Sequence, residues 1–260
     1  MTKKRKSKLS FSALFIGLSI GIIAGRTIPE AWTYHDKTIE SPFYAQESPL
    51  TGQPISSFQI DRPGYSLAYD ARNRNPVWVY EHLTADSIRG ETERSLAFKE
   101  DEAIPQHLRA TLADYKGSGF DRGHQAPAAD HRSSREAMDD TFYMTNMCPQ
   151  CPQLNRGYWA KLEKHVRDLT KDYANIYVVT GPLYLPYEEG NKRYVKYQVI
   201  GPNNVAVPTH FFKVITLENW QGIQEMRAYI FPNQEISAKT PLDQFMTTVQ
   251  KVEKAAGIIF

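Results

Sequence analysis

The stretch Asp121-Arg-Gly-His124-Gln-Ala-Pro-Ala-Ala-Asp130 brings an acid, a guanidinium, a glycine and a titratable ring together within four residues. Arg122 offers a planar fork suited to phosphate oxygens, Gly123 permits backbone arrangements that a Cβ resists, and His124 can accept a proton near neutral pH. The combination fits phosphodiester hydrolysis. For the tetrapeptide alone, a surface ion pair between Asp121 and Arg122 beside a hydrogen-bonded core histidine would be the better account.

The residues around it change that balance. Downstream runs Asn146-x-x-Pro149-Gln150, then Asn155, Trp159, Leu162 and Glu163. Together with Asp121-Arg-Gly-His124 this pattern resembles the signature of the DNA/RNA non-specific endonucleases with a ββα-metal site, and within them the branch of endonuclease G and its bacterial relatives. The similarity also takes in Tyr69-Asp-Ala-Arg-Asn-Arg-Asn-Pro76-Val-Trp78-Val-Tyr-Glu81, Ala137-Met-Asp-Asp140-Thr-Phe-Tyr143, Thr180-Gly-Pro-Leu-Tyr184 and Val207-Pro-Thr-His-Phe-Phe-Lys213. It covers about residues 55–260.

The chain has 260 residues, 41% apolar and 23% charged, with 15 Tyr and 12 Phe. That is the make-up of a folded, aromatic-rich protein long enough for one large core. The net charge of +2 is a poor guide, because six of the 31 Lys and Arg lie in residues 1–26, leaving 25 bases against 29 acids, formally −4. Nucleic-acid contact therefore has to come from a local basic cleft and not from a uniformly basic coat. Arg122, Arg156, Lys161 and Arg167 are the candidates.

Lys3-Lys-Arg-Lys6 and Lys8 precede an uncharged run of 17 residues, Leu9 to Gly25. At about 1.5 Å per residue this is slightly short for a roughly 30 Å hydrocarbon core, yet long for a cleaved leader. Residues 1–26 are expected to be an uncleaved signal-anchor or transmembrane segment, and residues 27–54, with four prolines, a linker. The basic flank would keep the catalytic domain, residues 55–260, on the far side of the membrane, in a mitochondrial intermembrane space or a bacterial periplasm.

Within that domain Tyr65, Leu67 and Tyr69 alternate with small or polar residues, residues 70–76 carry turn chemistry, and Val77-Trp-Val-Tyr80 resumes, so a hairpin is expected. Residues 83–120 read as a long charged loop, in which Gly117 and Gly119 let the backbone approach closely before Asp121. A helix is expected from Ser133 to Met138, a short strand at Thr141-Phe-Tyr-Met144, and a helix from Asn155. Counting helical turns puts Trp159, Leu162, Val166 and Leu169 on one apolar stripe, with Asn155 on its axis and Glu163 at its edge. Strands follow near residues 175–180, 194–200, 205–207, 211–217 and 226–231, and a helix over 241–256. The fold class is α+β: a mixed, mostly antiparallel sheet flanked by helices, with a ββα-metal unit carrying the site.

Hydrolysis of a phosphodiester needs an activated water in line with the leaving oxygen and positive charge near phosphorus. His124 is the expected general base. Asn155, a neutral oxygen ligand, is expected to hold Mg²⁺ or Mn²⁺, leaving most of the shell to water and phosphate. A helix-starting Asn can instead be only a cap. The family resemblance assigns the same roles to His124 and Asn155, puts Glu163 on the metal's water shell and implies 5′-phosphate products. It also implies phosphate-binding or supporting positions at Arg122 and Arg167, with Asp121 and Asn146 as support, DNA and RNA as substrates, and a homodimer. Two rival readings are a membrane-tethered thiol-disulfide protein using Cys148-Pro-Gln-Cys151, and an inactive nucleic-acid binder. The two cysteines are expected to be small loop side chains whose replacement leaves activity alone.

Overall fold

The computed structural model describes residues 57–94 and 97–260. The expected anchor and linker lie outside the described residues. Among the described residues no helix is long and apolar enough to cross a membrane.

The chain opens with a meander, β1 (Ser57–Asp61), β2 (Tyr65–Asp70) and β3 (Asn75–Leu83). Its β2–β3 turn is made as the sequence suggests: Asp70 Oδ1 accepts from the backbone N–H of Arg72 and Asn73, and Arg74 takes a left-handed φ of 55°. The charged loop that follows holds a single helical turn, α1 (Leu112–Tyr115). It is tied down by Asp101, a buried carboxylate that accepts from one Arg62 nitrogen at 2.8 Å and from Thr145 Oγ1 at 2.6 Å.

Next come β4 (Asp121–His124), α2 (Arg135–Asp140) and β5 (Met147–Gln150). Residues 141–144 are not the expected strand. Tyr143 makes one isolated parallel bridge to Lys99, and Met144–Asn146 form a 3₁₀ turn, because the chain must reverse here to bring β5 antiparallel to β4. A π-helical turn, Leu154–Trp159, runs into α3 (Ala160–Leu169).

The remaining elements are β6 (Asn175–Leu183), the hairpin β7 (Tyr187–Glu189) and β8 (Lys192–Tyr194), the pair β9 (Val199–Ile200) and β10 (Val205–Ala206), β11 (His210–Glu218), β12 (Gln224–Pro232), β13 (Met246–Thr247) and α4 (Val249–Ala256). The strand expected over 194–200 is thus split between β8 and β9. The expected C-terminal helix starts only at Val249, where Thr248 caps it by accepting from Lys251 N–H.

Seven strands form one sheet in the order β1-β2-β3-β6-β11-β12-β13, every neighbouring pair antiparallel. Leu83, Ile176, Val178, Phe211, Ile215, Leu217 and Phe231 project from one face onto Leu154, Tyr158, Trp159, Leu162 and Val166 of the π-turn and α3. The other face buries Leu183, Phe212, Val214 and Ala228 against Val252 of α4. The sheet is therefore a rigid table, and the β4–β5–α3 unit sits on its first face with its polar side turned outward.

Candidate active site

A cleft of about 460 Å³ opens over the β4–β5–α3 unit. Arg122 and His124 reach it from β4, Asn155 and Arg156 from the π-turn, Glu163 from α3, and Arg94 and Arg132 from flanking loops. Glycine's part here differs from the sequence expectation. Gly117 and Gly119 adopt left-handed φ with open space around them, so they make a turn and not a close approach. The close approach is at Gly123, where a Cβ would lie 2.2 Å from Gln150 Oε1 on the paired strand.

His124 is buried, its ring meeting Phe142 edge-on at 4.9 Å and Phe98 at 5.6 Å. Burial, aided by the charges of Arg94 and Arg122, pushes its pKa down to about 3. The ring is therefore neutral across the physiological range, and Nε2, sealed from solvent, has no hydrogen-bond partner among the described residues. The Arg122 guanidinium stacks 4.1 Å from the Phe98 ring, which fixes its plane beside the histidine.

Asn155 does not cap the helix. Its Nδ2 donates to Asp121 Oδ2 at 2.8 Å, while the same carboxylate takes a bidentate pair from Arg156 at 2.6 and 2.8 Å. Burial would raise the Asp121 pKa, but the Arg156 and Asn155 hydrogen bonds outweigh it, and the net shift is downward. Because π-helical bonding winds more slowly than α, Asn155 leaves the axis of the apolar stripe and comes out half-buried at the cleft.

Glu163 keeps part of its surface open to the cleft, yet its carboxyl is packed densely enough that burial pushes it up to about 8. Lys213 and Arg167 oppose that rise, and Asp130 and Glu81 add to it. Arg167 lies below the cleft, bound to buried Asp130 Oδ1 at 2.6 Å. Asn146 is fully buried and acts on the backbone: Oδ1 accepts from Ala126 N–H, and Nδ2 donates to the carbonyls of Ala126 and Thr141. It pins the turn just after His124. Lys161 points away, donating to the Ala238 carbonyl, so of the four basic residues expected in the cleft only Arg122 and Arg156 line it. Arg94 and Arg132 join them.

A family model described as DNA/RNA non-specific endonuclease matches residues 41–260. The chain belongs to that family. Among its relatives, the mitochondrial endonuclease G of Homo sapiens is 51% identical over 201 residues, 76% of this chain and 68% of that protein. Nuclease C1 of Cunninghamella echinulata var. echinulata is 48% identical over 77% of this chain and 81% of its own length, and the mitochondrial nuclease of Saccharomyces cerevisiae 41% over 85% and 76%. A solved structure, the crystal structure of the EndoG/EndoGI complex described as giving the mechanism of EndoG inhibition, is 48% identical, covers 80% of this chain and 87% of its own, and superposes with a TM-score of 0.77. The α+β fold and a nuclease, hence hydrolase, activity are thereby established.

Three buried residues beneath the cleft, Glu81, His131 and Lys213, carry no role assigned from the sequence, although Glu81 and Lys213 close two of the stretches that resemble the family. Glu81 and Lys213 did leave a signal, since each interrupts the apolar alternation of a central strand. Cys148 is buried in the core and Cys151 partly exposed, both as free thiols, and Cys151 Sγ contacts Gln153 Oε1.

Proposed function

We propose that the protein is a divalent-metal-dependent endonuclease, indifferent to the sugar, that hydrolyses phosphodiester bonds of DNA and RNA, with His124 as general base and Asn155 as the protein ligand of Mg²⁺ or Mn²⁺. The observation that carries this reading is the Asn155–Asp121 hydrogen bond. It occupies the amide nitrogen and leaves the oxygen as the donor toward the cleft.

The donor set suits a hard cation that keeps most of its water. Among the described residues no group of three or more His, Cys, Asp and Glu could enclose an ion, so a single neutral amide oxygen with Glu163 nearby is the natural holder. When bound, the ion would supply positive charge to the leaving oxygen and favour the ionised form of Glu163.

The chain's own groups account for the rest. With Nε2 sealed, Nδ1 of neutral His124 takes the proton from the attacking water. Phosphate oxygens in the cleft meet Arg122, Arg94 and Arg156. Neutralising Arg94 and Arg122 removes two of the causes that depress His124, so substrate binding itself raises the basicity of the ring. Arg167 and Asn146 support the site from below.

We further propose that residues 1–26 anchor the chain, residues 27–54 tether it and the nuclease domain works across the membrane as a homodimer. The human and yeast relatives are mitochondrial nucleases, which favours a mitochondrial setting. The test is digestion of plasmid DNA and of RNA by the full chain, with and without EDTA. Cleavage of both that EDTA abolishes is expected, and undiminished cleavage in EDTA would overturn the reading.

A further inference from the structure

The sheet face beneath the cleft carries two charges where alternation asks for apolar side chains. On β3, Glu81 stands between the buried Val79 and Leu83, and on β11 Lys213 stands between the buried Phe211 and Ile215. Both are almost fully buried. A charge in such a place is strongly unfavourable unless it is paired or hydrogen-bonded.

Lys213 lies directly across the ladder from Thr180 and donates to its Oγ1 at 2.5 Å. Its ammonium also sits 5.2 Å from the Trp159 ring, the last residue of the π-turn that carries Asn155. Glu81 Oε1 meets His131 Nε2 at 3.0 Å, and its second oxygen has no hydrogen-bond partner among the described residues. Arg167 is already committed to Asp130. The layer thus holds three carboxyl groups, Glu81, Asp130 and Glu163, of which burial pushes Glu81 and Glu163 toward the protonated form, beside Lys213, Arg167 and a His131 ring whose pKa the Glu81 hydrogen bond raises. Burial lowers the Lys213 pKa while Glu81, Glu163 and Asp130 pull it back up, so the ammonium interacts with each of them.

We propose that Lys213 and the Glu81–His131 pair are positioning residues for hydrolysis: a charged layer sealed between sheet and helix that sets the height of the π-turn and the electrostatic environment of Glu163. The proposal rests on the metal-dependent reading above. The ammonium sits over the ring that ends the π-turn, and its charge favours the ionised form of Glu163. Its loss would leave Glu163 facing Glu81 and Asp130 with Arg167 engaged elsewhere.

The test uses the full chain carrying Lys213→Met, Glu81→Gln, and both together. The readouts are the melting temperature, Mn²⁺ binding by calorimetry, and kcat and KM on plasmid DNA. Lys213→Met alone should melt lower, because the layer loses the buried ammonium that offsets its carboxyl groups, and the double variant should regain much of that loss. Yet in the double variant Mn²⁺ affinity and kcat should stay about tenfold or more below wild type, with KM for DNA little changed. Should Lys213→Met not fold, Glu81→Gln and the double variant carry the same reading. Wild-type kcat and Mn²⁺ affinity in a folded double variant would overturn the proposal and leave the layer a purely structural ion network. Wild-type protein that neither binds Mn²⁺ nor loses cleavage in EDTA would overturn the functional reading and this proposal with it, an outcome distinguished by appearing without any substitution.

Discussion

Asn155 and Asp121 are 34 residues apart in sequence, yet the Asn155 amide nitrogen donates to the Asp121 carboxylate at 2.8 Å, joining the first residue of β4 to the π-turn. The bond decides which atom of the amide is presented. Asp121→Ala would free Asn155 to rotate and would release Arg156. Metal affinity should fall about 10–100-fold, as is usual when an outer partner of a metal ligand is lost. Calorimetric titration with Mn²⁺ checks this, and unchanged affinity would remove Asn155 from the metal site.

His124→Ala should remove nearly all cleavage, since a lost general base typically costs about 10²–10⁴-fold in rate. The ring is packed between Phe98 and Phe142, so the variant also loses packing, and its fold should be verified by circular dichroism before rates are compared. Folded protein that digests plasmid at the wild-type rate would take the base role from His124.

Much of this arrangement could be read from the chain because the motif is local: Asp121 to His124 is one strand, residues 147–150 its partner, and the helix follows at once. What could not be read depends on pairing between distant elements. Glu81 and Lys213 look like breaks in two strands until β3, β6 and β11 lie side by side and Asp130 and His131 close over them. The π-turn was invisible for another reason. Counting with the α period placed Asn155 at the centre of the apolar stripe, and only the slower winding brings it out to the cleft.

Glu163 gives the metal-free protein a distinctive pH dependence. Its folded pKa, about 8 against an ordinary 4.5, means the folded state holds a proton that the unfolded state has lost, so stability falls as pH rises through that window. His131, raised because the Glu81 hydrogen bond and charge outweigh burial, acts in the same sense above pH 6.5. His124 acts oppositely, its stabilising effect being lost as pH falls from about 6.5 toward 3. Between pH 6.5 and 8 the melting temperature in EDTA should therefore drop, and Glu163→Gln should make that drop shallower. Mg²⁺ should do likewise for the wild type. Equal slopes for variant and wild type would show that Glu163 is not held protonated.

Gly123→Ala should be destabilising although the residue lies in an ordinary strand conformation. The new methyl would press on Gln150 Oε1 and Cβ from 2.2 and 2.6 Å, and overpacking of this kind costs about 1–3 kcal/mol. Gln150→Ala in the same chain removes Oε1 and Cδ and should relieve that part of the clash, while the contact with the Cβ it keeps remains. If urea unfolding finds the double variant no more stable than Gly123→Ala alone, the clash is not the cause.

The two cysteines separate packing from chemistry. Cys148 on β5 is fully buried beside Leu154 and Trp159's cluster, and burial pushes its thiol well up, so it supplies no thiolate near neutral pH. Cys151 follows the strand, partly exposed, its backbone N–H held by Asn233 Oδ1 and its carbonyl accepting from Asn155 N–H. Those backbone bonds fix the start of the π-turn without any use of the sulfur. Cys151→Ser should therefore leave stability and cleavage near wild type. Cys148→Ser should cost about 1–3 kcal/mol, because a hydroxyl replaces the thiol among apolar neighbours, while activity of the folded protein stays within about tenfold. Reductant should change neither cleavage nor melting of the wild type. A reductant-dependent change in rate of more than about tenfold, near 1.4 kcal/mol of barrier, would instead show that the pair closes under oxidation and moves the Asn155 turn.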